Sequence, residues 1–284
     1  MGKYECVLND PQAGSRLKIS RSLQLVLRFV IRYAYAEDST MVNVRHYGPA
    51  GTTPDEPALA LFQKQWQLYR KVVDYNYLFH REAYNCLRRI LVDEAIQPFR
   101  FLDVACGDAS ATVEALKGTQ VASYLGIDLS EAALELASQA LETLACPVTL
   151  DRRDFVEALR DRPESVDVAW IGLSLHHLQT PEKLSVMRQM RSVVGDRGHF
   201  LIYENATPDD EDRDAWLRRW DDQKPWWTAL APEEWDAGRA HVYANDFPET
   251  TSRWHALGRE AGFGQVRELF VAPTNLFRVY CFRA

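Results

Sequence analysis

The chain has 284 residues, 46% hydrophobic and 26% charged, with a formal net charge of −7. This is the profile of a soluble globular protein with one sizeable core and an added cap, or at most two small domains. The acidic balance argues against nucleic acid as a partner, since nucleic-acid binders carry a basic surplus. The five cysteines (Cys6, Cys86, Cys106, Cys146 and Cys281) are scattered without metal-ligand spacing, which points to reduced thiols in the cytoplasm.

Residues 1–40 break from the rest. Arg16 to Ala36 is basic and apolar, and Ala34-Tyr35-Ala36 is similar to a signal-peptidase site. Arg28 and Arg32 interrupt the apolar run, however, leaving no clean signal core and no transmembrane span. A peripheral membrane helix is one reading. The preferred one is an atypical extension ahead of a more natural start at Met41, dispensable for the fold. Residues 41–284 then form a single domain.

Between Ala58 and Gln97 there is no Gly or Pro, and apolar residues recur in steps of three and four. This predicts one or two amphipathic helices over 57–97, lying as a lid ahead of the core. A core over 98–204 follows, with strands at 100–105, 123–128, 147–151, 166–171 and 198–204. The intervening helices fall at 109–117, 130–144, 154–160 and 181–194. Ser130 reads as an N-cap and Pro181 as a first-turn residue. The alternation implies right-handed crossovers and a parallel sheet covered on both faces. Residues 205–248 are acidic, Pro-punctuated and Trp-rich, and read as a cap of short helices and loops. A helix at 250–261 and strands near 265–271 and 275–283 close the chain within 249–284.

The chemistry concentrates in two turns. The first strand runs into a small-residue turn, Asp103-Val104-Ala105-Cys106-Gly107-Asp108, and the second ends in Asp128. A small residue lets a nucleoside touch backbone, and an acid at that interval grips a ribose diol. The turn has one Gly where a dinucleotide fingerprint needs three. Its acids, Asp103 and Asp108, repel phosphate and suit a ligand with an ammonium group, such as S-adenosylmethionine.

In these residues the chain resembles the seven-stranded, Rossmann-like S-adenosylmethionine-dependent methyltransferases of small-molecule type. The resemblance covers roughly 57–284, with its motifs confined to 100–204, and Ala105 departs from the family by replacing the motif's first Gly. It implies a doubly wound α/β sheet, mostly parallel, with an antiparallel last strand. It implies that Ala105, Cys106 and Gly107 lie under the cofactor and that Asp103 orients the turn and attracts the ammonium. Asp128 would hold the ribose with Leu129 beside the adenine, and Asp154 and Phe155 would meet the base, although Asp154 can equally serve as a helix cap. Residues Asp167 to Leu178, ending in His176-His177-Leu178, resemble the fourth motif, which sets Gly172 and Leu173 beside the methionine moiety. The signatures of nucleic-acid amino- and cytosine-methyltransferases are missing there.

For catalysis, His176 and His177 are candidate general bases, with helix capping or a loop hydrogen bond as the bland alternative. Tyr77 and His80 share the lid's apolar stripe with Tyr69; they read either as acceptor contacts or as ordinary core packing. Six tryptophans between 216 and 254 line the acceptor pocket or fill a satellite core. No metal-ligand constellation is evident around the fourth strand. The expected activity is methyl transfer to an O, N or C atom of a small molecule by in-line displacement. The rivals are a nicotinamide-dependent oxidoreductase and a non-catalytic S-adenosylmethionine-binding subunit.

Overall fold

The computed structural model describes residues 68–161 and 165–284; the expectations for residues 1–40 and for the start of the lid lie outside them. Helical residues 68–74 and a turn at 75–78 lead into α1 (His80–Asp93). The core alternates β1 (Phe99–Val104), α2 (Ser110–Leu116), β2 (Val121–Asp128), α3 (Glu131–Leu141), β3 (Val148–Arg152), α4 (Phe155–Arg160) and β4 (Val168–Gly172). A 3-10 turn (Leu175–His177), α5 (Thr180–Val194) and β5 (His199–Thr207) complete it. The cap comprises α6 (Arg213–Asp221), a 3-10 turn (Lys224–Trp226) and α7 (Pro232–Asn245). The chain ends with β6 (Glu249–Thr250), α8 (Thr251–Glu260), β7 (Gln265–Val271) and β8 (Phe277–Arg283).

The sheet order is β3-β2-β1-β4-β5-β8-β7. The strands from β3 to β5 run parallel, and β8 is antiparallel to both β5 and β7. A two-residue strand unseen in the sequence, β6, adds an eighth by pairing Ala206 with Glu249 and Thr207 with Thr250. The strand residues sort by parity. Phe101, Trp170, Leu201 and Tyr203 face one core layer with Leu87 and Leu91 of α1 and Leu134 of α3. Leu102, Ala169, Ile171 and Ile202 face the other, with Met187 and Met190 of α5 and Trp254 of α8. Burial on both faces is why these strands read as nearly unbroken apolar runs.

Local signals set the helix starts. Ser130 accepts from Ala133 N at 3.1 Å, Asp212 from Ala215 N at 2.8 Å, and the Gln179 main-chain N–H donates to Glu182 at 2.9 Å. α3 stops at Leu141, three residues short of expectation, because Glu142–Leu144 only turn back on the preceding carbonyls. The lid is interrupted where Asn76 and Phe79 take left-handed backbone angles (φ 57° and 63°), which ends one helix and lets α1 start in a new direction.

Candidate functional site

The first half of the site lies at the carboxyl ends of β1, β2 and β3. After β1, Ala105, Gly107 and Ala109 all adopt left-handed angles (φ 54°, 56° and 53°). An alanine in that region costs roughly 1–2 kcal/mol, so the turn holds a strained shape that keeps its backbone close to the crevice. Asp128 at the end of β2 is fixed from both sides. One carboxylate oxygen accepts from Gly107 N at 2.9 Å and the other from Ser130 N at 2.8 Å. The carboxylate as a whole keeps acceptor capacity for a further donor. A crevice of about 330 Å³ opens here, lined by Ala105, Asp128, Leu129, Asp154 and Phe155, with Ser174 and His177 on its far side.

Asp154 also caps α4, accepting from Val156 N at 2.8 Å, so it has both expected roles available. Asp103 is buried and accepts from the Tyr124 hydroxyl at 2.7 Å. Burial pushes its carboxyl up to about 7. Asp108 is spent on the start of α2, accepting from Ser110 N and Oγ at 3.2 and 2.9 Å. Cys106 is buried with its thiol pushed up by desolvation. A side chain on Gly126 would come within 2.9 Å of its sulfur. Gly172 closes β4 against the Trp170 ring, 3.2 Å from where a Cβ would stand. Leu173 turns left-handed (φ 48°), its N–H held by Tyr203 O at 2.7 Å.

That turn carries the chain into a second cavity of about 270 Å³ beneath the cap. Tyr69, Val72 and Leu78 wall it from the lid, Leu173, His176 and His177 from the β4 turn, and Phe277 from β8. The cap contributes Trp220, Trp227, Trp235, His241 and Asp246. Trp216 stays in the core with its indole N–H on Leu276 O at 3.2 Å, and Trp226 is 75% exposed. Some tryptophans of the segment thus line the cavity and others pack the core or face solvent. His177 lines both cavities.

A buried polar cluster joins β5 to the cap. Glu204, fully buried, accepts the main-chain N–H groups of Ser174, Leu175 and His176 at 2.8, 2.6 and 3.2 Å. It also holds His176 Nδ1 at 2.7 Å. Burial lowers the His176 pKa and the Asp246 and Glu204 carboxylates raise it; the second effect wins, and the ring is held above its usual value. Asn205 donates to Asp246 Oδ2 at 2.9 Å, and His177 Nδ1 lies 3.3 Å from Asn245 O. The bland roles proposed for these histidines, a loop hydrogen bond above all, are thus present alongside their position at the cavities.

Tyr77 and His80 line neither cavity. The Tyr77 hydroxyl accepts from Ala229 N at 2.9 Å, and its ring stacks on Trp227 at 4.9 Å. His80 is enclosed by Tyr69, Tyr84 and Tyr203, and burial pushes its pKa down to about 4. Sequence reasoning passed over Glu204, His241 and Asp246. The one available signal was Glu204 itself, a carboxylate ending an apolar strand; nothing local marks the other two.

Residues 101–198, from β1 to the turn before β5, match the family model described as a methyltransferase domain. No curated protein matches the sequence. Among solved structures, a possible exported protein from Bordetella parapertussis aligns with TM-score 0.54 at 20% identity, over 72% of this chain and 67% of that one. Magnesium protoporphyrin IX methyltransferase from Synechocystis PCC 6803, solved with bound S-adenosylhomocysteine, aligns with TM-score 0.53 at 13% identity, over 78% and 95%. Human N-acetylserotonin methyltransferase in complex with S-adenosylmethionine gives 0.53 at 13%, over 78% and 55%. At such low identity these superpositions show a shared fold alone. The matched domain speaks for methyl transfer over the nicotinamide reading: residues 101–198 match a methyltransferase domain, set in a Rossmann-like sheet.

Proposed function

We propose that the protein methylates an oxygen, nitrogen or carbon atom of a small, largely apolar acceptor seated in the cap cavity. The reading adds that it works in the cytoplasm and has no nucleic-acid partner. The observation that carries it is the border at His177, where the cavity under the cap meets the crevice. Two bound molecules can exchange a group only if their sites abut, and a developed apolar cavity favours an enzyme over a cofactor-binding subunit.

The residues of the crevice fit S-adenosylmethionine. Asp128 stands pre-set by two backbone N–H groups with acceptor capacity left for a diol, and Asp154, Phe155 and Leu129 surround the space for the base. Ala105, Cys106 and Gly107 supply the backbone beneath the nucleoside, Asp103 and Asp108 the carboxyl oxygens that can accept from an ammonium, and Gly172 and Leu173 the methionine side. When bound, S-adenosylmethionine supplies a methyl carbon made electrophilic by its sulfonium. The protein's part is to orient the acceptor, exclude water with Trp220, Trp227 and Trp235, and take up an acceptor proton near His177. The four described cysteines are all free thiols, consistent with a reducing compartment. Among the described residues no helix is long and apolar enough to cross a membrane.

A screen of small hydroxylated and amine acceptors with labelled cofactor tests this reading. Turnover to S-adenosylhomocysteine is expected with the full chain, and a loss of about 10²–10⁴ in rate with His177→Ala at unchanged S-adenosylhomocysteine affinity. Failure to bind either S-adenosylmethionine or S-adenosylhomocysteine would overturn it.

A further inference from the structure

The polar cluster between the cap and β5 holds more charge than its hydrogen bonds use. Asp246 is 4% exposed. Its Oδ2 accepts from Asn205, whereas its Oδ1 makes no hydrogen bond. Three imidazoles surround that idle oxygen: His177 Nδ1 at 3.6 Å, His176 Nε2 at 3.8 Å and His241 Nε2 at 3.9 Å. The nearby cation does not reach it, because the Arg213 guanidinium donates to the main-chain oxygens of Asp246 and Tyr243 at 2.7 and 2.6 Å. Glu204 engages Nδ1 of His176 at 2.7 Å. A neutral ring with its proton there turns the bare lone pair of Nε2 toward a carboxylate oxygen. Either a second proton on that ring or a metal ion between the two acceptors relieves the contact, and the position of His177 on the same oxygen favours the ion.

We propose that His176, His177 and Asp246 bind a divalent first-row transition ion in the wall of the cap cavity. Their ligand atoms all lie within 4.8 Å of one another. Tetrahedral ligands on a zinc ion stand about 3.3 Å apart, so the observed spacings to Asp246 need only a modest contraction. Two histidines and one carboxylate form a donor set of the kind that holds zinc or ferrous iron with a position left open. The Glu204–His176 hydrogen bond is the outer contact that fixes a ligating ring's tautomer and orientation. The ring of His177 must give up the Nδ1 proton it shares with Asn245 O and carry it on Nε2. This replaces the expectation that no metal site follows the fourth strand: the constellation was invisible because Asp246 is 69 residues from His177 in the chain.

The open position faces the cavity and suits an oxygen ligand. If the acceptor docks there, which rests on the function proposed above, a hydroxyl acceptor would give its proton to water and keep the electron pair on its oxygen, and His177 would serve as a ligand, not as the group that takes up the proton. The ion lowers the acidity barrier for that loss.

Cobalt(II) is the probe, titrated into untagged full chain and followed by visible absorption and by metal analysis after dialysis. One ion per chain with d–d bands is expected, displaced by zinc. His177→Ala and Asp246→Asn should each weaken binding at least tenfold while S-adenosylhomocysteine affinity and melting temperature hold. Should Asp246→Asn fail to fold, the half-exposed His177 decides alone. No cobalt bound at micromolar concentration, or equal binding in the variants, overturns the proposal. S-adenosylhomocysteine binding without cobalt leaves the function standing and removes the metal; cobalt without S-adenosylhomocysteine does the reverse.

Discussion

The crevice and the cap cavity are built by opposite means. In the crevice Asp128, Asp154 and Asp108 are fixed by main-chain groups within one run of strands, turns and helices: Asp128 by Ser130 and Gly107, Asp154 by Val156, Asp108 by Ser110. The cavity is fixed by side chains from far apart, with Tyr77 on Trp227 and Ala229, and Asn205 on Asp246. Backbone-held acids come with the strand-turn-helix unit wherever it folds. A cavity held by side chains exists only when the whole chain has docked. The first can persist while the second is remade for another acceptor.

The two sites should therefore respond separately to mutation. The largest effect is expected for Trp227→Ala, which empties a buried ring packed against Tyr77, Trp220 and Trp235. It should cost about 3–5 kcal/mol of stability, read by denaturant titration, with S-adenosylhomocysteine affinity of the folded protein within twofold of the parent. A large loss of cofactor affinity would show the sites to be one unit. Asp128→Ala should do the converse, weakening S-adenosylhomocysteine binding by about 2–4 kcal/mol as charge-assisted hydrogen bonds are lost. Asp128→Asn should cost less, and calorimetry separates the two.

The pH dependence sharpens the picture on the crevice side. The Asp103 carboxyl, raised to about 7 by burial, keeps its proton in the native chain where an unfolded Asp, near 3.9, has lost it. Its contribution to stability is therefore full below about pH 4 and falls as pH rises toward 7. Asp103→Asn should remove that decline, about 4 kcal/mol for a carboxyl carried from near 3.9 to about 7, measured as the difference between parent and variant stability across the range. The smallest effect belongs to Tyr77→Phe. It loses one hydrogen bond to Ala229, about 1 kcal/mol, and should leave turnover nearly unchanged; a large loss of turnover at full stability would bring the phenol back as an acceptor contact.

The same contrast explains what could be read in the sequence. The alternation of β1 to β5 with α2 to α5 was legible because β1, β4 and β5 are largely apolar on both faces and α3, α4 and α5 begin at local caps. The acids at strand ends were legible because their interval from the small-residue turn reflects one strand-turn-helix-strand unit. Glu204 was visible as the end of a strand, but its hold on residues 174–176 depends on β4 and β5 lying side by side. His241 and Asp246 carry no local signature, since their meaning comes from α7 docking over the β4 turn. Tyr77 and His80 were noticed for polar tips on an apolar stripe. A stripe cannot say whether a polar tip meets a ligand or, as with Tyr77, the main chain of a cap some 150 residues away.

The fastening between the lid and the cap has a further consequence. Lys71 donates to both carboxylate oxygens of Glu234 at 2.7 and 2.8 Å, six residues before Tyr77 takes hold of Ala229. Residues 68–79 and 224–242 thus make one exchangeable part, although most of the chain lies between them. A chimaera that imports a foreign cap to accept a different molecule would have to import the matching dozen residues ahead of α1 as well. Swapping the cap alone would strand Lys71 and Tyr77 against surfaces that offer them nothing.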